Sequence, residues 1–278
     1  MITTGKCRHG KFTWFDNDII IGKSLATYGE YCEWEIMCLE QLIEPEWHIA
    51  DIGANIGTHS IPFSKLAHKG YVHSFEPNEL SRGLLERNLK DNFITNSTVY
   101  PYALSRSAGN RYLSNYNPQK PGNYGEASLN NSSELMELVP TMRLDQIKFE
   151  RLDFIKCDVE GEELNVFKGG KHTLEKHLPT CFVECNEESH LGPLYTRFEK
   201  LGYTQIYWCP VRNFNPDNYK GFTKNVFGSS GVINILLISP KLKARYEYLE
   251  PVTGPDDSYK KMYDRVANDL TANKKKLL

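Results

Sequence analysis

The sequence predicts an α/β fold: a doubly wound, mostly parallel sheet of about seven strands with an antiparallel edge strand. Three observations predict it. From residue 47 onward, short apolar runs alternate with segments whose apolar residues recur at helical spacing. The first of these runs ends in a turn punctuated by Gly53 and Gly57. The last two strand-like runs, 203–211 and 232–238, have no helical pattern between them, as an antiparallel pair at a sheet edge requires.

Taken in order, residues 14–23 read as irregular or short-strand structure. Over 33–43 the apolar positions Trp34, Met37, Cys38, Leu39, Leu42 and Ile43 fall at helical spacing, and Pro45 ends the run. Residues 47–53 form a strand. A helix over 57–68 tolerates Pro62 because it lies in the first turns. A strand over 71–77 ends in Glu76 and Pro77, a helix over 80–92 aligns Leu84, Leu85 and Leu89, and a strand covers 98–104. Residues 105–134 are rich in Asn, Gly, Ser and Pro and predict an irregular excursion with a hairpin at 111–116; an excursion of this length in a domain is a functional loop or a disordered one. Regular structure resumes with a strand over 152–159, a helix over 162–177 interrupted at Gly169 and Gly170, a strand over 181–185, a helix over 193–201, the two final strands and an amphipathic helix over 259–270. Three parts follow: an N-terminal extension and helix (1–45) covering a ligand site, a catalytic domain (46–240) with 105–134 inserted beside the site, and a C-terminal extension (241–278).

The bulk numbers narrow the function. With 278 residues, 40% hydrophobic, the chain can bury a sizeable core. A net charge of −2 gives no bulk attraction to nucleic acid or anionic membrane. Lys274, Lys275 and Lys276 read as a solvated tail. Seven scattered cysteines without CxxC spacing, and no apolar stretch of signal-peptide length in residues 1–20, predict reduced thiols in the cytoplasm and no membrane span. Cys181 and Cys185, four apart on one strand, fit the core better than a metal site. Asn96-Ser97-Thr98 and Asn131-Ser132-Ser133 match the glycosylation pattern by chance.

The stretch Asp51-Ile52-Gly53-Ala54-Asn55-Ile56-Gly57 decides the ligand class. A dinucleotide fingerprint spaces its glycines G-x-G-x-x-G so that a pyrophosphate can approach a helix N-terminus. Here three residues separate Gly53 from Gly57, and no Gly-Lys-Ser/Thr follows as a phosphate loop requires. The pattern acid-x-Gly-x-(Gly/Asn)-x-Gly resembles the first motif of S-adenosylmethionine-dependent methyltransferases. Backbone N–H groups at such a turn can hold the donor's carboxylate, and nearby acids its ammonium. Glu76, at the end of the next strand and followed by Pro77, suits two ribose hydroxyls in either ligand class. Ala103, near the end of the third strand, can border the adenine through its backbone.

The segments YGEYCEWE, ADIGANIGTHS, VHSFEPN, LDFIKCDVEGEE and FVECNE resemble, in order and spacing, those of the FkbM family of methyltransferases. The likeness runs from Tyr28 to Ile238, and IKCDVEGEE is its most particular piece. It implies a Rossmann-like class I methyltransferase fold and O-methylation, commonly of a sugar or natural-product hydroxyl. It also implies that Tyr28 and Glu30 cover the methionine end of the donor, and that Asn123, Gly125 and Ser128 lie beside the active site and select the acceptor.

Methyl transfer to a sugar hydroxyl calls for a base or a metal at the carboxyl edge of the sheet. Strand alternation puts Lys156, Asp158 and Glu160 on one face of a central strand, where charges are unusual. Asp158 is the first catalytic candidate, ionised by its neighbour Lys156. Glu160 is an acceptor-binding candidate or a helix cap. Glu184 ends the adjacent strand and is a second catalytic or acceptor-binding candidate. Asp158, Glu160 and Glu184 together, Asp158 and Glu184 foremost, could ligate a divalent cation, although no metal is required. His59 and His190 are candidate bases or simple packing residues. The alternatives are a nicotinamide-dependent oxidoreductase, which lacks the glycine spacing, and a nucleic-acid methyltransferase, which lacks the Asp/Asn-Pro-Pro-aromatic tetrad and a basic groove. A non-catalytic glycan-binding or assembly module on the same fold is the third.

Overall fold

The structure, a computed structural model, describes residues 1–129, 135–186, 188–242, 246 and 248–276. The chain opens with a hairpin, β1 (Ile2–Cys7) and β2 (Gly10–Phe15), then helices α1 (Ile21–Thr27) and α2 (Glu33–Glu40). There follow β3 (His48–Ile52), α3 (Ser60–Leu66), β4 (Tyr71–Phe75), α4 (Glu79–Asp91) and β5 (Ser97–Tyr100). Next come β6 (Ala103–Leu104), β7 (Gly109–Ser114) and β8 (Met136–Met142). The chain then runs through β9 (Phe154–Cys157), α5 (Glu163–Lys168), α6 (Lys171–His177), β10 (Thr180–Glu184) and α7 (Glu188–Glu199). It ends with β11 (Ile206–Arg212), β12 (Gly231–Leu237) and α8 (Tyr259–Lys276).

Seven strands form the main sheet in the order β11-β12-β10-β9-β3-β4-β5. Strands β10, β9, β3, β4 and β5 are mutually parallel, and β12 runs against both β10 and β11. This is the Rossmann-like class I methyltransferase arrangement, with the expected antiparallel pair at one edge. Every residue of β9 and β10 is buried, as befits strands covered on both faces. Alternation along these strands feeds two cores. Ala50, Ile52, Ile155 and Cys157 pack with Val166, Phe167, Leu194 and Phe198 from α5 and α7. Ile49, Val72, Phe154 and Phe182 pack on the other side with Ile36, Leu39 and Phe63 from α2 and α3. Each fully buried side chain of this size contributes about 1.5–3 kcal/mol. Cys181 and Cys185 are core residues, and burial raises both thiols.

Helix α4 starts where Asn78 accepts hydrogen bonds from the N–H groups of Leu80 and Ser81. From its buried face Asn88 accepts from Thr13 N at 2.7 Å and donates to Ile56 O at 2.9 Å, joining the N-terminal hairpin to the turn after β3.

Several expectations are corrected. The N-terminal hairpin was not foreseen, because β1 buries only Cys7 and alternation is weak there. Residues 14–23 are the end of β2 and the start of α1. The strand expected over 98–104 is two: Pro101, which has no N–H to donate, separates β5 from β6, and β6 joins a second sheet of order β6-β8-β7. The excursion 105–134 therefore holds a regular strand, β7, whose antiparallel partner is β8 rather than a hairpin mate within 111–116. Residues 130–134 of the excursion, with the Asn131-Ser132-Ser133 pattern, lie outside the described residues. Gly169 and Gly170 divide the helix over 162–177 into α5 and α6. Among the described residues no helix is long and apolar enough to cross a membrane.

Candidate active site

The chain builds β3, β4 and β5 outward in one direction, then β9 and β10 in the other. At such a reversal the loops leaving adjacent strands diverge and open a crevice at the carboxyl ends. A cavity of about 300 Å³ lies there, lined by Gly53 and Asn55 after β3, Glu76 after β4, Lys156 and Asp158 at the end of β9, and Glu184 at the end of β10.

The turn after β3 is fixed by its backbone. Gly53 has φ +84°, and a Cβ there would stand 1.8 Å from Asp158 O, so only glycine lets the two loops meet. Asn55 also adopts a left-handed φ of 48°, and its side chain accepts from Ile56 N. Asn55 N donates to Glu76 Oε2 and Asn78 N to Glu76 Oε1, each at 2.8 Å. Burial pushes the Glu76 carboxyl up to about 7, against the pull of those two N–H groups. Pro77 and Ala103 line the same cavity. Asp51 does not; it lies beneath the turn, opposite Lys156 in register, accepts from Ser60 Oγ at 2.6 Å, and its Oδ1 has no hydrogen-bond partner among the described residues. Gly57 is likewise outside the lining, packed at φ +91° against Leu85.

Across the cavity, Lys156 Nζ lies 2.9 Å from Asp158 Oδ2 and 3.5 Å from Gly53 O. Burial lowers the Lys156 ammonium, but the charges of Asp158, Asp51 and Glu35 more than offset that and keep it protonated. Burial raises the Asp158 carboxyl, yet Lys156 brings it below the usual carboxylate range. Glu160 and Glu184 move the other way: burial raises both, and the charge of Asp158 raises them further. Carboxylate oxygens of Asp158, Glu160 and Glu184 all lie within 4.8 Å of one another, a spacing that a hard divalent cation accepts. Asn186 donates to Glu184 at 2.7 Å. Glu160 is not on the strand face with Lys156. β9 ends at Cys157, and Glu160 turns back at φ 52°. Nor does Glu160 cap a helix: α5 starts after Glu162 with no side-chain cap, and Glu163, its first residue, instead holds the preceding loop by accepting from Val159 N and Gly161 N.

The remaining candidates divide. His59 and Asn123 line the cavity. Ser128 lies behind it, buried, donating to Glu160 O at 2.9 Å. His190 faces Glu163 Oε2 at 3.6 Å and is outside the lining. Tyr28 and Glu30, expected over the donor, are also outside it. Tyr28 is buried among Phe214, Phe222 and Phe227, and its hydroxyl donates to Lys224 O. Glu30 accepts from Arg8 and Tyr219 N at 2.7 Å each and from Asn215 at 2.9 Å. Both residues clasp the N-terminal segment to the loop between β11 and β12. The next turn of chain supplies the cavity instead, through Tyr31, Cys32 and Glu35. The sequence reading also missed Asn186, Asn213 and Ser230, which reach the cavity from β10 and the β11–β12 loop. Glu35, two residues past the start of a helix, carried a signal: a carboxylate on the buried stripe.

Comparison with known proteins decides the kinship. The family model for the methyltransferase FkbM domain matches residues 51–204, more than half of the chain. The chain belongs to the FkbM methyltransferase family. It is 30% identical over 179 residues to Methyltransferase sdnD of Sordaria araneosa, an alignment covering 52% of this chain and 68% of that one. It is 25% identical over 178 residues to Methyltransferase 1 of Beauveria bassiana (strain ARSEF 2860), covering 56% and 71%. Among solved structures, the methyltransferase FkbM of Methylobacillus flagellatus KT aligns at 17% identity with a TM-score of 0.48, over 70% of this chain and 44% of that one, so the chain spans less than half of that protein. FkbM membership implies S-adenosylmethionine as the methyl donor. The matched segment contains the Asp51–Gly57 turn, Glu76, Asp158 and Glu184, whereas Glu35, Asn213 and Ser230 come from outside it.

Proposed function

We propose that this protein transfers a methyl group from S-adenosylmethionine to a hydroxyl of a sugar, glycan or related uncharged small molecule. One observation carries the proposal. A buried carboxylate, Glu76, gripped by two backbone N–H groups, shares a single cavity with the acidic group of Asp158, Glu160 and Glu184. Each carboxylate oxygen accepts two hydrogen bonds, so Glu76 keeps a free lone pair on either oxygen for the two ribose hydroxyls. The Gly53–Asn55 turn suits the amino-acid end of the donor, Asp51 supports the turn from below, and Pro77 and Ala103 border the nucleoside. The donor supplies an electrophilic methyl group on a positively charged sulfur. The protein's contribution is alignment, worth several kcal/mol when acceptor oxygen, methyl and sulfur are held in line.

The acceptor side favours hydroxyls. The cavity's two basic side chains among the described residues, Lys156 and His59, are each committed to a carboxylate, whereas Glu126, Glu160 and Glu184 also face the space. Such a lining exchanges hydrogen bonds with hydroxyls and offers no uncommitted cation to a phosphate or a carboxylate. Asp158, kept ionised by Lys156, accepts a hydrogen bond from the bound acceptor, with Glu160, Glu184 and Asn123 around it and Ser128 steadying the Glu160 backbone.

Calorimetry with S-adenosylmethionine, S-adenosylhomocysteine and NAD, followed by a labelled-donor screen of deoxysugars and glycan fragments, tests this reading. Binding of both sulfur compounds and labelling of an uncharged polyol are expected. In Asp158→Asn, donor affinity stays within a few fold and turnover falls about 10²-fold. NAD binding alone, or transfer only to anionic acceptors, overturns the proposal.

A further inference from the structure

We infer that His59 is the base that takes the acceptor's proton, and that Glu35 and Asn234 are positioning residues that set its tautomer; this rests on the O-methyltransferase reading above. The group is assembled from three distant elements. His59 stands at the start of α3, Glu35 in α2 and Asn234 in β12, and the last two lie outside the segment matched by the family model.

Nε2 of His59 is 2.8 Å from Glu35 Oε2, with side-chain exposures of only 6% and 4%. The other Glu35 oxygen accepts from Asn234 Nδ2 at 3.1 Å. Asn234 is itself buried and lies opposite Glu184 in the β10–β12 register. A carboxylate only accepts hydrogen bonds, so Asn234 must offer its NH₂ and His59 its Nε2–H. In the neutral ring the lone pair then sits on Nδ1. Nδ1 makes no hydrogen bond to any described residue, and the ring lines the cavity close enough to Asp158 to act on that carboxylate.

Other groups are less suited to the task. Asp158 is ion-paired to Lys156 at 2.9 Å, and Glu184 accepts from Asn186 at 2.7 Å within the cluster of carboxylates, so each is already committed to a partner. With His59 as base the step balances. The acceptor O–H bond breaks and its proton passes to Nδ1. The acceptor oxygen bonds the methyl carbon as the carbon–sulfur bond breaks, and that electron pair stays on sulfur. Positive charge leaves the sulfur and arrives on an imidazolium already facing the Glu35 carboxylate, the logic by which a buried acid supports a histidine base elsewhere.

Long-range ¹H–¹⁵N spectra of the imidazole rings, with His59 assigned by its loss in His59→Gln, read the tautomer without any turnover. A single Nε2–H form is expected, redistributed in Glu35→Gln and Asn234→Ala. On an acceptor found by the labelled-donor screen, His59→Gln lowers kcat about 10²–10⁴-fold. Binding of S-adenosylhomocysteine stays within about threefold of wild type, because the base touches only the acceptor. Imidazole added to His59→Gly restores part of the turnover, and Glu35→Asp retains more activity than Glu35→Gln. An Nδ1–H or mixed tautomer in the wild type, wild-type kcat in His59→Gln, or turnover lost only in Glu160→Gln overturns the assignment while the methyltransferase reading stands. Failure of the wild type to methylate any hydroxyl overturns both.

Discussion

Glu76 is a carboxylate whose surroundings disagree about its charge. Two backbone N–H groups favour the ionised form, and burial opposes it strongly enough to push its pKa up to about 7. Ribose hydroxyls donate hydrogen bonds and therefore prefer the carboxylate to the carboxylic acid. Donor-site affinity should consequently rise with pH through the neutral range. At pH 6 about one Glu76 in eleven is ionised and at pH 8 about ten in eleven, so S-adenosylhomocysteine should bind about tenfold more tightly at pH 8. Glu76→Gln should bind about as weakly as the wild type at pH 6 and should lose most of the pH dependence. Isothermal titration at several pH values decides the matter. A pH-independent wild type would mean that Glu76 does not meet the ribose.

At the scale of elements, the turn between β3 and α3 depends on its glycine for geometry that no other residue supplies. Gly53→Ala would place a methyl group on the Asp158 carbonyl and hold alanine at positive φ, which alone costs about 1–3 kcal/mol. The variant should unfold at lower denaturant by at least that amount and bind donor more than tenfold more weakly. Gly83→Ala, on the exposed face of α4 with no atom within 4 Å of the new methyl, should instead stabilise by about 0.5–1 kcal/mol. Urea unfolding of the pair separates a conformational requirement from a general glycine effect. This contrast also shows why some of the molecule was legible in its sequence. The β3 turn, Glu76 and the strand ends at Asp158 and Glu184 follow from local pattern, since a doubly wound sheet puts the ends of β3, β4, β9 and β10 at one edge. Glu35 and Asn213 line the same cavity, and Asn234 stands behind Glu35, through tertiary packing; of the three only Glu35 is marked locally, as a carboxylate on the buried stripe of α2. Tyr28 and Glu30 were misplaced for the same reason: their partners, Phe214 and Asn215, are far away in the chain. The hairpin β1–β2 and strand β8 escaped because their exposed positions include Ile2, Met136 and Leu138, which blur the alternation.

Across the whole molecule, the crowding of acids in one cavity sets how stability varies with pH. For Glu76, Glu160 and Glu184 the folded-state pKa lies above the unfolded one, so in the neutral range the folded chain holds protons that the unfolded chain has released. Stability then falls as pH rises. Glu76 alone, moving from 4.5 to about 7, contributes a loss of about 1–2 kcal/mol between pH 6 and 8.5. His73, which burial holds down to about 4, binds fewer protons in the folded chain than in the unfolded one near pH 6 and offsets part of this loss at the acid end of the window, whereas the depressed carboxylates do not act there. Asp257, which burial raises but its hydrogen bond from Arg265 brings well below the carboxylate range, stabilises the docking of α8 at every pH above the ordinary carboxylate range and loses that effect only in acid. Asp158 behaves likewise. The melting temperature should therefore drop by roughly 5 °C from pH 6 to 8.5. Glu76→Gln should remove part of the drop, and Glu160→Gln should remove a further part independently. Differential scanning calorimetry across this range is the measurement. A flat profile in the wild type that becomes steep after treatment with a chelator would show a cation neutralising Asp158, Glu160 and Glu184 in solution. A profile that rises with pH would mean that these carboxylates are not buried as described.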